Sequence, residues 1–353
     1  MELKNITKPL LDWYQKAKRT LPWREEQSIY HTWISEIMLQ QTRVEAVKEY
    51  YLRFLNEVPD IKTLSEIEDD KLMNLWEGRG YYSRAKNLKK AAQIIMEQYN
   101  GIFPNTYEEI IKLPGIGKYT AGAILSIGYN KPYPAIDGNV MRILSRIIEC
   151  DLDISEEKTK TYFEELLTPI IPKQSGDFNQ AFMDLGSSIC LPNTEPLCNS
   201  CPLKKFCQSY KNNTTTLYPV KKKKQERKKE NRTIILFCYK NEVLIHKRPN
   251  KGLLANLYEF YQEEGNYSLK EIKNLLNIQN IDYKEIYSIG KAKHIFSHIE
   301  WHMKGYFIEL NKKITPNDFF WCSISSLEKE YCIPTAFHYY KKYLLFEKEN
   351  KIL

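Results

Sequence analysis

The chain has 353 residues, 42% of them hydrophobic and 27% charged, which suits a globular protein of two domains, each with its own core. No run approaches the roughly 18 to 20 apolar residues that span a bilayer, and the N-terminus lacks the apolar core of a signal peptide, so a cytoplasmic protein is expected. The formal charge of +8 is unevenly placed: residues 1–220 are net −1, residues 221–232 (KKKKQERKKENR) net +6, and the last 121 residues net +3. Bulk charge therefore does not carry nucleic-acid binding by the first part, which would need locally placed cations and helix N-termini.

Residues 3–19 read as a helix with Ile6, Leu10, Leu11, Tyr14 and Ala17 as its apolar positions, ended near Leu21-Pro22. Trp23 and Arg24 follow in a loop. Residues 29–55 form one long helical pattern, with Ile34, Ile37, Met38, Val44, Val47 and Tyr51 as core positions and Glu36 among them. An ionised carboxylate is costly to bury. Glu36 either caps the solvent edge of this stripe or is a carboxyl whose pKa burial raises, so that it can donate a proton. Gln40, Gln41 and Thr42 come next, and residues 63–99 read as two helices around Glu77-Gly78-Arg79-Gly80-Tyr81-Tyr82.

Residues 113–139 (LPGIGKYTAGAILSIGYNKPYPAIDGN) carry Gly115 and Gly117 at a helix start. Such a turn lets backbone approach a partner closely, and the unpaired N–H groups behind it suit a phosphate, although many such pairs only open a helix. Asp137 is placed to cap a helix over residues 140–148, where N–H donors and the helix dipole are expected to lower its pKa. With Glu36 pushed up and Asp137 pushed down, the two would supply a general acid and an anion facing a cationic sugar, provided that they meet in space.

Four of the eight cysteines form a compact run, Cys190-x7-Cys198-x2-Cys201-x5-Cys207. Zinc knuckles usually supply two C-x2-C pairs far apart, whereas four thiolates on one short loop suit an iron–sulfur cluster better. Beyond the basic stretch, which reads as a solvated linker, strands are expected at residues 233–239 and 242–247 around a Lys240-Asn241 turn. A helix at 268–276, a strand at 303–310 and a helix at 335–345 complete an α+β domain.

Several of these segments resemble the helix-hairpin-helix DNA glycosylases, and most closely their adenine-removing branch. They are Leu21-Pro22-Trp23-Arg24, residues 33–42 (WISEIMLQQT), Gly80-Tyr81-Tyr82-Ser83-Arg84-Ala85, residues 113–121, Asp137-Gly138-Asn139-Val140-Met141-Arg142, Phe178-Asn179-Gln180-Ala181 and the four cysteines. Arg248-Pro249, residues 251–255 and Phe296-Ser297-His298 carry the resemblance through the C-terminal part, so that it covers nearly the whole chain. It implies a mainly α-helical glycosylase domain over residues 1–220, made of two helical subdomains with an iron–sulfur loop at 190–207. A basic linker at 221–232 and an α+β NUDIX-like domain over 233–353 that recognises 8-oxoguanine would follow.

The activity implied is removal of adenine mispaired with 8-oxoguanine or guanine in double-stranded DNA, by a monomer in the nucleoid-associated cytoplasm. The adenosine would be flipped out of the duplex, Glu36 would protonate the base and Asp137 would stabilise the oxocarbenium-like sugar. Tyr119 and Asn139 would position the two carboxyls, and Arg24 would contact the flipped base. Gln41, Thr42 and Tyr81 would probe the duplex around the orphaned base, and the amides around Gly115 and Gly117 would hold phosphates. Phe296, Ser297 and His298 would read 8-oxoguanine, and Cys190, Cys198, Cys201 and Cys207 would hold a [4Fe-4S] cluster.

Superfamily members that also cut the strand carry a lysine where Tyr119 stands, so a monofunctional enzyme is expected, with Lys118 directed to another side of the helix. An endonuclease III-like lyase and a damage-binding protein without turnover are the competing readings. Three departures accompany the resemblance. The first cysteine spacing is seven residues where six is usual, so the loop must bulge between Leu191 and Leu197. Arg79 replaces a leucine, and Tyr258-Glu259-Phe260-Tyr261 replaces Trp-Glu-Phe-Pro. The REx2EE helix of true NUDIX hydrolases is missing from the C-terminal part, which implies recognition without pyrophosphate hydrolysis.

Overall fold

The computed structural model describes residues 2–350 apart from 79, 223–225 and 328, with backbone alone for 347–350. Arg79 thus lies outside the described residues. The chain forms two compact units, one of residues 1–67 with 86–223, the other of residues 68–85 with 224–353. No helix is long and apolar enough to cross a membrane, among the described residues.

The first unit is helical. Ile6, Leu10 and Tyr14 from the N-terminal turns pack with Val140, Ile143, Leu144 and Ile147 of the Gly138–Ile148 helix and with Phe178, Phe182 and Leu185 of the Ser175–Ser188 helix. The pattern over residues 29–55 is two helices rather than one, Ile29–Leu39 and Val44–Glu57. They part because Gln41 takes a left-handed φ of 57° and Arg43 is extended. Apolar spacing on both sides stays in phase, so periodicity alone conceals the break. Ser28 caps the first of the two helices by accepting from the His31 amide at 3.0 Å.

The second unit is built on six strands: β1 (Lys228–Tyr239), β2 (Glu242–Lys247), β3 (Tyr258–Glu264), β4 (Tyr283–Ile295), β5 (Ile299–Leu310) and β6 (Phe319–Ser323). Their order is β4-β5-β1-β3-β2-β6, with β1 and β5 parallel and the remaining neighbours antiparallel. One face of the sheet is covered by Ile272 and Leu276 of the Leu269–Ile278 helix, the other by Phe337, Tyr340 and Leu344 near the C-terminus. Ser268 and Glu271 form a capping box at the start of the former helix.

Two differences from the sequence reading concern the boundaries of the units. Residues 228–232 belong to β1 instead of the linker, since they pair with residues 299–303 of β5 while Lys228 and Lys229 stay in water. Residues 68–85, placed within the first domain by their position in the chain, pack as part of the second unit.

Candidate active site

A cleft of about 780 Å³ in the first unit is lined by Glu36, Tyr119, Asp137 and Asn139, with Arg24, Gln41, Thr42, Gly117 and Lys118 around them. Glu36 comes from the middle of the Ile29–Leu39 helix and is 4% exposed. Tyr119 stands one residue into the Lys118–Ala123 helix and donates its hydroxyl to Glu36 Oε2 at 2.6 Å. Burial pushes the Glu36 carboxyl up to about 7; the Tyr119 hydrogen bond opposes this rise and the nearby Asp137 charge adds to it. A carboxyl with that pKa holds a proton near neutrality and can give it away.

Asp137 caps the Gly138–Ile148 helix, accepting from the Val140 amide at 2.8 Å and from Asn139 Nδ2 at 2.7 Å. Its pKa is nevertheless raised, which corrects the expectation of a lowered one. The side chain is half-buried by its own surface, but it stands deep in the cleft with protein packed around it, and desolvation outweighs the donors. The two carboxyls therefore shift in the same direction. What separates them is hydrogen bonding: the Val140 amide and Asn139 donate to the Asp137 carboxylate, and Tyr119 donates to Glu36.

The loop before Asp137 is set by close packing. A Cβ on Gly122 would lie 2.1 Å from the Pro134 carbonyl, so the hairpin helix presses against the backbone three residues ahead of Asp137. Gly115, at φ 80°, turns the chain into that helix against Asn87. A Cβ on Gly186 would lie 2.5 Å from that of Asn139, so the missing side chain makes room for Asn139. Arg142 then fixes the amide, donating from Nη2 to Asn139 Oδ1 at 2.9 Å and to the Gly186 carbonyl at 2.7 Å, and from Nε to the Cys190 carbonyl at 2.8 Å.

Arg24 reaches the cleft with its guanidinium on Asp184, at 2.8 and 3.1 Å, beside a second pair from Arg19 at 2.6 Å. Burial alone would raise Asp184, but the Arg24 and Arg19 bonds prevail and its pKa is lowered. The sequence reading missed Asp184, Arg19 and Gly186, and quoted Arg142 without giving it a role. Asp184 carried the same signal as Glu36, an acid among Phe178, Ala181, Phe182 and Leu185 on one helix. Lys118 Nζ lies 3.8 Å from Glu164 and 4.0 Å from Glu157, on a different side of the helix from Tyr119.

Tyr81, Phe296, Ser297 and His298 belong to the second unit. Tyr81 is 47% exposed and takes a φ of 47°. Ser297 and His298 are exposed at the tip of the β4–β5 hairpin, closed by Phe296 N–H donating to the Ile299 carbonyl at 2.8 Å. Phe296 itself packs edge-on against Trp301, with ring centres 4.9 Å apart.

Residues 34–169 match the model of the HhH-GPD superfamily base excision DNA repair proteins, and residues 232–342 match that of the NUDIX domain. The chain is 42% identical over 306 residues to the adenine DNA glycosylase of Buchnera aphidicola subsp. Baizongia pistaciae, covering 86% of each. It belongs to the adenine DNA glycosylase family.

The glycosylase is also 32% identical to the adenine DNA glycosylase of Schizosaccharomyces pombe, covering 93% of this chain and 87% of the relative. A thermostable thymine-DNA glycosylase superposes with a TM-score of 0.55 at 27% identity, covering 59% of this chain and 96% of that one. An endonuclease III–DNA complex, at 24% identity and a TM-score of 0.51, shares the fold. The enzyme is thus a hydrolase of N-glycosyl bonds that removes adenine from DNA in base excision repair.

The cysteine run of the glycosylase folds back on itself. Asn193 takes a left-handed φ of 58° and the Leu197 amide donates to the Ile189 carbonyl at 2.9 Å, which accommodates the long first spacing. Cys190, Cys198, Cys201 and Cys207 line one small cavity. Among the described residues, no three of His, Cys, Asp and Glu converge as a single metal ion would require. Burial pushes Cys201 up to about 12 and Cys207 to about 11, with neighbouring thiolates raising both further, so charged thiolates need a cationic group to be held together here. Arg146 contributes one such charge, donating from Nη1 to Cys190 Sγ at 3.2 Å. Four thiols around one cavity fit the donor set of a four-iron cluster.

Proposed function

We propose that the glycosylase hydrolyses the N-glycosidic bond of adenine mispaired with 8-oxoguanine or guanine in duplex DNA and leaves the strand uncut. The observation that carries this reading is the Tyr119–Glu36 hydrogen bond at the cleft floor, with the capped Asp137 beside it. Adenine flipped into the cleft meets the Glu36 carboxyl, which gives its proton to N7 as the C–N bond breaks and the bonding electrons leave with the base. The sugar becomes cationic. Ionised Asp137 stabilises it, as an ion pair or through a transient bond, until water completes the hydrolysis.

Tyr119 and Asn139 hold the two carboxyls in place in this reading. Arg24 contacts the flipped base, Gln41, Thr42 and Tyr81 probe the duplex, and the amides near Gly115 and Gly117 hold phosphates. Phe296, Ser297 and His298 read 8-oxoguanine. Tyr119 has no amine to form a Schiff base with the sugar, which supports base removal without strand cutting. The four cysteines hold a [4Fe-4S] cluster, with Arg146 against one ligand. The glycosylase acts as a monomer on DNA in the cytoplasm.

The test is incubation with a duplex holding adenine opposite 8-oxoguanine, with and without alkali. Cleavage that appears only after alkali is the expected result, because an abasic site is alkali-labile. Strand breaks without alkali would replace this reading with a lyase.

A further inference from the structure

The Asp69–Leu75 helix and the turn behind it carry a stripe to which the sequence reading gave no role. Asp70, Met73, Asn74 and Glu77 recur at the three- and four-residue spacing of one helical face. Each bonds a residue from the C-terminal part of the chain. Asp70 accepts from Lys247 Nζ at 2.8 Å and from Tyr258 Oη at 3.1 Å. Cys332 Sγ donates to the Met73 carbonyl at 3.3 Å, and Asn74 Nδ2 donates to the Lys329 carbonyl at 3.1 Å. At the end of the stripe, Glu77 Oε1 accepts from both Lys341 Nζ at 2.9 Å and His338 Nε2 at 3.2 Å. The Lys341 side chain is 9% exposed and that of Glu77 19%, so this contact is largely withdrawn from water, where charge-assisted bonds fix geometry most firmly.

Tyr81 stands four residues beyond Glu77. Gly78, Gly80 and Tyr81 have φ values of 87°, 63° and 47°, left-handed values within four residues of the pinned Glu77. On the other side of the turn, the buried Arg84 guanidinium lies 5.7 Å from the centre of the Tyr81 ring and 5.5 Å from that of Trp76.

We propose that the C-terminal domain positions Tyr81 through Glu77, gripped by His338 and Lys341, which makes Glu77 a positioning residue for selection of the mispair. The Tyr81 turn lies within the glycosylase part of the sequence but is built into the unit that carries Ser297. This rests on the reading of Tyr81 as a probe of the mispair.

The experiment measures single-turnover adenine release by the full-length protein from duplexes with adenine opposite 8-oxoguanine and opposite guanine. The variants are Tyr81→Ala, Glu77→Gln, Lys341→Met and the double Tyr81→Ala/Glu77→Gln. Glu77→Gln and Lys341→Met should each lower the preference for 8-oxoguanine about tenfold, and the double variant should be no worse than Tyr81→Ala alone, as for residues acting in series. Amide hydrogen exchange over residues 76–84 should quicken in Glu77→Gln while residues 115–123 stay unchanged. Lys341→Met and His338→Ala approach the contact from the opposite side and make the same test if Glu77→Gln does not fold.

Additive losses in the double variant, or equal loss on both duplexes, would overturn the proposal. If Tyr81→Ala keeps its preference, the reading of Tyr81 falls and the proposal with it. If Tyr81→Ala loses preference and the Glu77 and Lys341 variants keep it, the proposal alone falls.

Discussion

Glu36 sits where a carboxylate is least welcome, and its chemistry and its cost to stability have the same origin. Between the ordinary glutamate value and about 7, the folded protein keeps a proton that the unfolded chain has lost, so this residue's contribution to stability falls as pH rises through that window. Glu36→Gln removes the titration and keeps an oxygen for the Tyr119 hydroxyl. That variant should be inactive yet more stable than the parent at pH 8, by about 3 kcal/mol at most, with the gap closing towards pH 5; denaturant unfolding at both values checks it. Asp137 offers a contrast. Its anion is held by the Val140 amide and by an Asn139 side chain that Arg142 fixes in turn, so Asp137→Asn should keep the fold and lose roughly 100-fold or more in single-turnover rate. Near-parental cleavage by that variant would remove Asp137 from the chemistry. At the hairpin tip, Ser297→Ala should weaken preference for 8-oxoguanine over guanine more than it slows adenine release, and equal losses on both duplexes would count against a reading role.

The elements that bring these residues together depend on backbone approaches that only the folded chain reveals. Gly122 against the Pro134 carbonyl is the tightest of those described, and Gly122→Ala should cost about 2 kcal/mol or more, since backbone must move to admit the methyl. Loss of activity should accompany it, because the displaced loop carries Asp137; a melting temperature unchanged from the parent would contradict this. Sequence made Glu36 legible, because an acid on an apolar face asks for an explanation, and it made the Asp137 cap legible, because Asp before a helix is local chemistry. The sign of the Asp137 shift was not legible, since residues distant in sequence desolvate it. The gap between the Ile29–Leu39 and Val44–Glu57 helices escaped for a different reason: a left-handed Gln41 leaves no trace in hydrophobic spacing. Strands β3 and β4 escaped because neither reads as an apolar run: β3 ends in charged residues, and β4 is an edge strand with many of its side chains in water. Their place in the sheet depends on partners from other parts of the chain.

At the scale of the whole molecule, the division by contacts departs from the division by sequence. Residues 68–85 join the C-terminal unit through polar bonds at helical spacing, a pattern that reads as a solvated face until its partners are known. Five residues of the basic stretch, Lys228 to Arg232, are recruited into β1 by pairing with β5. The proposed chemistry turns on one proton, held by the buried Glu36 in the cleft of the first unit. Its most direct test is the pH dependence of single-turnover adenine release from a duplex with adenine opposite 8-oxoguanine. The rate should hold below about 7 and fall as pH rises through that value, with a second decline in acid as Asp137 takes up a proton above its ordinary value, and Glu36→Gln should show no cleavage at any pH. A rate that is flat or rising between pH 6 and 9, or a Glu36→Gln variant that turns over, would contradict it.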